Sequence, residues 1–565
     1  MAFLMREAVQ ERLQKRIDDV VGGFRQNVGI VGPIGVGKST LLREFFQSIS
    51  RDPRLLPVCI RGEAIDGRQL IEQWLGAVLC SVLLGRTLNI PSSLSALMQE
   101  ADAIIPSTVH AAKHIQKLFQ QEKNSTAIRE LFGLSLILAR ETGKKVILLI
   151  DEFQELEKLP VPDPFSMLGR QMMPAKEILY VVTSSAKDRA IEIFREKLSL
   201  LFGNFEVLEI APFGFRELEQ HLAVRMPTHR WSPGLMRFLF HMTDGEPLYL
   251  DLILQRIEGM EVREIPQPVY PSVLIDAFCQ ELFDCRGRIA LLFEQRLERC
   301  VGLSKKGGAF LRAVLSLSQG RHKIIPIAAN VGETVAETQR ILKRLVQEGF
   351  VIKSGSFYHL PDVLFRFWLK EVFLRRQGFF LPEDRSLRKT LFDRLNSDLE
   401  ICERMCVDDV GPRVEKLLKE FRNDTVEFCQ KKYPCPQFSE ISVKNTPQSK
   451  VAILAKGSRG RWLFQVCPDW VSESDMEILV QEAKGFRKIK RKILIALSGI
   501  DQNAKLVAQE CKMQLWDLRL LNTFMDYYDL PKIIITKKKT HDTQQKTDGS
   551  FVGTVAQALP ALELR

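Results

Sequence analysis

Gly32-Pro33-Ile34-Gly35-Val36-Gly37-Lys38-Ser39, followed by Thr40, fits the pattern Gly-x-x-x-x-Gly-Lys-[Ser/Thr] at every fixed position. Upstream, Asn27-Val28-Gly29-Ile30-Val31 is a short apolar run suited to a buried parallel strand; downstream, Ser39-Thr40-Leu41-Leu42-Arg43-Glu44-Phe45-Phe46 has helical spacing. A glycine-rich loop between strand and helix is the setting in which this pattern cradles phosphate. The glycines let successive N–H groups point at one centre, and the helix N-terminus adds the positive end of its dipole. In that geometry Lys38 reaches the β- and γ-phosphates of a nucleotide and the Ser39 hydroxyl ligates Mg²⁺. Gly32, Pro33, Ile34, Gly35, Val36, Gly37, Lys38, Ser39 and Thr40 are therefore the candidate nucleotide-binding residues.

A second motif follows at Val146-Ile147-Leu148-Leu149-Ile150-Asp151-Glu152. The aliphatic run reads as a strand buried on both faces, with two carboxylates at its C-terminal end, where ligands sit in parallel α/β sheets. Asp151 suits the Mg²⁺ shell, and Glu152 suits orienting and deprotonating an attacking water. Further strands are expected at Leu55–Ile60, Ile178–Val182 and Phe205–Ile210. The third strand of the series runs into Thr183-Ser184-Ser185, whose hydroxyls, Ser184 above all, either sense the γ-phosphate or cap the next helix. Helical periodicity is expected over residues 6–20 and in a long stretch from 66 to 142.

A chain of 565 residues implies three or four domains, each large enough to bury a core. Its 45% hydrophobic and 26% charged residues exclude a disordered or fibrous class. The net charge of +11 favours acidic partners, nucleic acid first among them. The longest apolar run, Trp74 to Gly85, is short of the about 20 residues a membrane span needs, so no membrane role is expected. The N-terminus acquires charge at Arg6 and Glu7, too early for a signal-peptide apolar region, and eleven scattered cysteines include no Cys-x-x-Cys pair. Reduced thiols and a cytoplasmic location are expected.

Taken together, the two motifs, the Thr183-Ser184-Ser185 strand end and Ile210-Ala211-Pro212-Phe213 resemble the AAA+-related P-loop ATPases of the archaeal-ATPase and STAND type, relatives of archaeal origin-recognition proteins. Thr243-Asp244-Gly245-Glu246-Pro247-Leu248 looks like the Gly-x-Pro segment of that family's helical lid, and Asp362 to Trp368 is similar to the end of its winged helix. The resemblance implies an α/β P-loop ATPase core with a helical lid, followed by a winged helix and a small α/β C-terminal domain. It also implies ATP and Mg²⁺ as cofactors, and that Pro247 either contacts nucleotide or merely opens a helix. One departure stands out: Asn204 occupies a position where relatives often carry an Arg that offsets transition-state charge, leaving Arg189 or Arg195 as substitutes.

The expected divisions are a core at 1–212, a lid at 213–304, a winged helix at 305–375, a linker at 376–399, an α/β domain at 400–535 and a tail at 536–565. Within the winged helix, Thr334 to Gly349 has the shape of a recognition helix and presents Arg340, Lys343 and Arg344 on one face, while Phe350 to Tyr358 reads as a hairpin wing. Double-stranded DNA and a protein partner, including self-association, are both open as its target. The last domain weakly resembles the PD-(D/E)xK nuclease fold, but the metal-binding positions fall on Ala452 and Gln465-Val466-Cys467, so it is expected to be inactive. Lys484 to Lys492 and Lys532 to Lys539 are basic segments suited to salt-dependent phosphate contact, although the second, which opens the tail, reads more readily as a disordered segment with solubilising charge. The chain as a whole reads as an ATP-dependent switch, or alternatively as a nucleotide-stabilised scaffold with negligible turnover.

Overall fold

The computed structural model describes residues 6–61, 66–84, 90–198, 205–260, 268–303, 307–377, 385–404, 410–429, 431–444, 451–458, 460–486 and 488–535. Its first sheet consists of β1 (Asn27–Val31), β2 (Leu55–Ile60), β3 (Lys145–Ile150), β4 (Ile178–Ser184) and β5 (Phe205–Glu209). The strands are all parallel, in the order β2-β3-β4-β1-β5. Alternation explains the two layers of helices. Ile147 and Leu149 of β3 pack with Leu13, Ile17, Leu41 and Phe45 from helices Glu7–Val21 and Lys38–Ile49. Val146, Leu148 and Ile150 point the other way, onto Trp74, Val78, Leu131 and Phe132 of helices Gly67–Leu83 and Asn124–Thr142. Each such aliphatic side chain, wholly buried, stabilises the fold by about 1.5–3 kcal/mol. A sheet covered on both faces leaves only its strand ends for chemistry, and the carboxyl ends of β1, β3 and β4 lie side by side. The apolar run beginning at Trp74 is a buried helix, and among the described residues no helix is long and apolar enough to cross a membrane.

From Phe215 onward the chain is helical, and one continuous core joins helices Pro233–Thr243, Pro247–Met260 and Pro271–Leu282 to everything up to Cys402. Helices Gly307–Ser318, Ile324–Val331 and Val335–Gln347 are followed by a hairpin of β6 (Ile352–Ser354) and β7 (Phe357–His359), the order expected for residues 305–375. Leu342 and Leu345 are buried, while Arg340, Lys343 and Arg344 are exposed.

The stretch expected to be a linker is different. Arg385–Arg404 is a helix whose Leu387, Leu391, Leu395, Leu399 and Cys402 join the helical core, against helices Pro233–Thr243 and Pro271–Leu282. Most of its described charged residues face water, Asp398 being buried, and its four-residue leucine spacing supplies an apolar stripe. The segment is thus part of the helical body and not a connection.

A hairpin of β8 (Asp424–Phe428) and β9 (Lys431–Cys435) precedes the second sheet, β10 (Phe438–Lys444), β11 (Val451–Gly457), β12 (Gly460–Cys467), β13 (Ile489–Ala496) and β14 (Met513–Asp517), ordered as numbered. The first three strands are antiparallel and the last three parallel. Helices Glu473–Lys484 and Gln502–Glu510 cover one face; Val410–Glu420 and Leu518–Tyr527 cover the other. The expected strands at Val451, Trp462 and Ile493 are all present. The tail from 536 onward lies outside the described residues.

Candidate nucleotide-binding site

Steric necessity shapes the loop after β1. A Cβ on Gly32 would stand 2.3 Å from the Ile210 carbonyl oxygen. Gly35 and Gly37 have φ of +90° and +94°, which L side chains adopt only under strain. Helix Lys38–Ile49 starts immediately after Gly37, so Ser39 is exposed in its first turn and Thr40 is half-buried. Lys38 is only 4% exposed. Its Nζ donates to the carbonyls of Gly32 (2.9 Å) and Pro33 (2.8 Å) and lies 3.9 Å from Glu152 Oε1. Burial lowers the Lys38 pKa, opposed by the charges of Glu152, Asp151 and Glu246.

At the end of β3 the two carboxylates are fixed by β4. The Thr183 hydroxyl donates to Asp151 Oδ1 and accepts from the Glu152 amide at 3.1 Å. Ser185 donates to Glu152 Oε2 from both its amide (2.9 Å) and its hydroxyl (2.7 Å), and Gln154 Nε2 donates to the same oxygen at 2.7 Å. Burial alone would raise the Glu152 pKa. The hydrogen bonds from Gln154 and Ser185, with the charge of Lys38, outweigh it and hold the carboxyl ionised below its ordinary range. Glu152 itself has φ +47°, a strained conformation for a non-glycine residue of the kind found at functional sites.

The hydroxyl series resolves by strand alternation. Ser184, singled out from the sequence, is 1% exposed and its Oγ donates to Gln154 Oε1 at 2.6 Å, so it orients the glutamine that holds Glu152. Its neighbours Thr183 and Ser185 touch the carboxylates directly. Of the alternative cations, Arg189 is bound to Glu157 and Glu192, Arg195 is exposed in the turn Ile193–Lys197, and Asn204 lies outside the described residues.

Two more groups close over the loop: Arg6, which the sequence did not single out, and the Gly245-x-Pro247 segment, which the family resemblance did. Arg6 donates to the carbonyls of Val36 (3.2 Å) and Ala211 (2.8 Å) and covers the Phe213 ring. From the helical region, the turn Asp244–Pro247 is pinned by the Phe213 amide donating to the Gly245 carbonyl at 2.8 Å. Pro247 is the buried first residue of its helix. Glu246 projects onto the loop: a Cβ on Gly35 would meet its Oε1 at 2.7 Å and the Leu248 side chain at 3.3 Å. Glu246 Oε1 has no hydrogen-bond partner among the described residues. Burial, with Asp362 nearby, pushes this carboxyl up to about 8 despite Lys38 and Arg6.

The donor set fits a magnesium nucleotide. Among the described residues no cluster of three acidic, histidine or cysteine side chains forms a metal cage, and Mg²⁺ characteristically relies on one or two protein oxygens plus phosphates. Ser39 and Asp151 are the oxygens available for that role, and the tight left-handed glycines leave the loop open to a phosphate.

No curated protein matches the chain. Among solved structures it is similar to the Walker-type ATPase PABY2304 of Pyrococcus abyssi, at 14% identity and TM-score 0.44, covering 64% of this chain and 95% of that one. It is also similar to the Aeropyrum pernix ORC2 protein (13%, TM-score 0.42, 71% and 95%) and to the Aeropyrum pernix ORC1 protein in complex with DNA (14%, TM-score 0.37, 66% and 94%). These likenesses are too distant to carry an argument about function. Residues 2–172 match the family described as AAA ATPase domain, a span that contains the loop, Lys38, Asp151 and Glu152. The matched span supplies β1, β2 and β3 of the parallel sheet, and the architecture is that of an α/β P-loop core.

Proposed function

We propose that the protein is an ATP-hydrolysing switch in which the nucleotide at residues 32–40 governs how the C-terminal domain is held. The supporting observation is the turn Asp244–Pro247. On one side its Glu246 lies against Gly35 of the loop; on the other, Asp244 accepts from Lys532 Nζ at 2.7 Å. Lys532 belongs to the strap that leaves the second sheet, which Arg413 and Asn522 anchor through the carbonyls of Pro531, Lys532 and Ile533. Any shift of the turn on nucleotide binding is therefore felt by the strap.

In this reading, residues 213–304 and the helix Arg385–Arg404 act as the lid and residues 305–375 as a winged helix. Lys38 leaves its loop carbonyls to bind the phosphates, and Glu152, held ionised by Ser185 and Gln154, takes the proton of the attacking water. Ser39 and Asp151 would hold Mg²⁺, which would supply charge to offset that on the phosphate oxygens. Thr183 keeps the two carboxylates apart in role by fixing Asp151 through its hydroxyl.

Replacing Glu152 with Gln should slow phosphate release by roughly 10² or more while leaving ATP binding intact. Unchanged turnover would remove Glu152 as the base. The second reading, a scaffold stabilised by nucleotide, is favoured by the engagement of Arg189 with Glu157 and Glu192, which leaves only the exposed Arg195 of the two substitute cations. Purified protein that retains ATP and releases no phosphate is the outcome that supports it.

A further inference from the structure

The second sheet has a basic end. β11 finishes, and β12 and β13 begin, at the same edge of the domain, since Lys456 pairs with Arg461 and Arg461 with Ile489. Helix Glu473–Lys484 also ends there, immediately before β13. This gathers Lys456, Arg461, Lys484, Lys490, Arg491 and Lys492 on neighbouring strand and helix ends, and the first five are exposed. Glu440 is the one carboxylate on these strand ends, and Lys456 neutralises it at 3.7 Å. Among the described residues no carboxylate lies within ion-pair distance of Arg461, Lys484, Lys490, Arg491 or Lys492. The arrangement is built and not merely a floppy charge run. Lys490 crosses over Gly460, whose absent side chain makes room for it, and the Arg491 guanidinium stacks on the Trp462 ring at 4.8 Å.

The face that sequence pointed to first is less free. Arg340 is paired with Glu337 and Arg344 with Glu348 on their own helix. The β6–β7 hairpin is occupied by the chain itself: Ser354 Oγ donates to the Glu427 carbonyl at 2.7 Å and accepts from its amide at 2.9 Å, and the Ser356 amide donates to the Thr425 carbonyl at 2.9 Å. Gly355 packs so closely that a Cβ would stand 2.1 Å from the Thr425 oxygen. The hairpin tip is thus held on β8, leaving Ile352, Lys353 and Ser356 as its exposed residues.

We propose that the basic end of the second sheet binds the sugar-phosphate backbone of duplex DNA. Unpaired cations on a fixed framework are what counterion release rewards. Base stacking, on which single-strand binding relies, is poorly served among the described residues: Trp462 is 3% exposed and lies under Arg491, and the half-buried Phe486 ring is covered by Lys444. None of the exposed large apolar side chains sits on these strand ends, which disfavours a membrane surface. The site lies at the opposite end of β11 and β12 from Ala452 and Gln465, so it owes nothing to a nuclease centre. This names the partner of the switch proposed above and rests on that reading only for any nucleotide dependence.

The test uses the full chain without nucleotide, so that its failure is separable from failure of the ATPase reading. Binding to a duplex of about 20 base pairs is measured by fluorescence anisotropy across salt concentrations, beside the same length of single strand and vesicles containing phosphatidylserine. The variant Arg461→Gln/Lys484→Gln/Lys490→Gln should bind duplex at least about tenfold more weakly near 0.1 M salt, with the slope of log K against log salt shallower by about 2–3. Arg340→Gln/Lys343→Gln/Arg344→Gln should retain most of the slope. An unchanged slope in the first variant, loss of binding only in the second, or tighter binding to vesicles or single strand than to duplex would overturn the proposal. Thermal unfolding of each variant separates lost contact from lost fold, and a single exposed change, Lys490→Gln, keeps the test open should the triple variant not fold.

Discussion

Two five-stranded sheets divide this chain, and the ends of their central strands are furnished in opposite ways. In the first, β3 ends in Asp151 and Glu152, beside a left-handed glycine loop and a lysine buried against carbonyls. In the second, the positions that the nuclease resemblance would assign to carboxylates are filled by core. Ala452 and Gln465 are 0% exposed, and Gln465 Nε2 donates to the Leu479 carbonyl at 3.1 Å, tying the strand to its covering helix. Both sheets bury aliphatic strands between helices, so architecture alone does not distinguish them. What differs is whether charged groups converge and stay ionised. Glu152 does so because Ser185, Gln154 and Lys38 overcome its burial. The second sheet concentrates its charge at the other end and on its surface.

The sharpest way to break this contrast is to give the second sheet a carboxylate. Ala452→Asp should confer no DNA cleavage and should destabilise the domain by about 1–3 kcal/mol, since its buried carboxylate has only the cross-strand Lys444 to offset it; chemical denaturation reads it. Metal-dependent cleavage would mean that the site is intact after all. In the first sheet, Lys38→Met should lower ATP affinity by about 10²-fold, because charge-assisted contacts to phosphate cannot be replaced by a thioether; calorimetric titration checks this.

Glu246→Gln sharpens the picture by pH. The wild-type carboxyl is raised from 4.5 to about 8 in the folded state, so the stability it contributes is full below pH 4.5 and lost as pH rises through 8. The variant should therefore be more stable than wild type at pH 9, by roughly 1–3 kcal/mol, and lose that advantage near pH 5. A pH-independent difference in Tm contradicts the burial of this group against the loop. The smallest effect is expected at the sealed hairpin: Ser354→Ala removes two hydrogen bonds to Glu427 and should cost about 1–2 kcal/mol.

Much of the first sheet was legible because its signals are consecutive in sequence. Residues 32–39 and the run ending in Asp151-Glu152 each carry their own context, and the structure brings Lys38 within 3.9 Å of Glu152. Ser184 shows where that legibility stops. In a strand, successive side chains face opposite ways, so choosing the middle of three hydroxyls chose the one facing Gln154, while Thr183 and Ser185 reach the carboxylates. Glu246 was legible only in part: the resemblance marked the Gly245-x-Pro247 segment around it, but the approach of its side chain to Gly35, about 200 residues away in sequence, is set by the tertiary fold. The helix Arg385–Arg404 was legible and was passed over. Leu387, Leu391, Leu395 and Leu399 form a four-residue stripe, masked by the basic residues between them.

The most direct test of the switch is hydrogen–deuterium exchange of the full chain with and without ATP and Mg²⁺. Protection of amides 34–39 reports that nucleotide has bound, and the strap 529–535, where the Ile533 amide donates to Asn522, reports whether the turn at Asp244 has passed the change on. The account predicts that both segments change together, the strap by about tenfold in exchange rate, equivalent to a coupling of about 1.4 kcal/mol. Protection at 34–39 with identical exchange at 529–535 would contradict it.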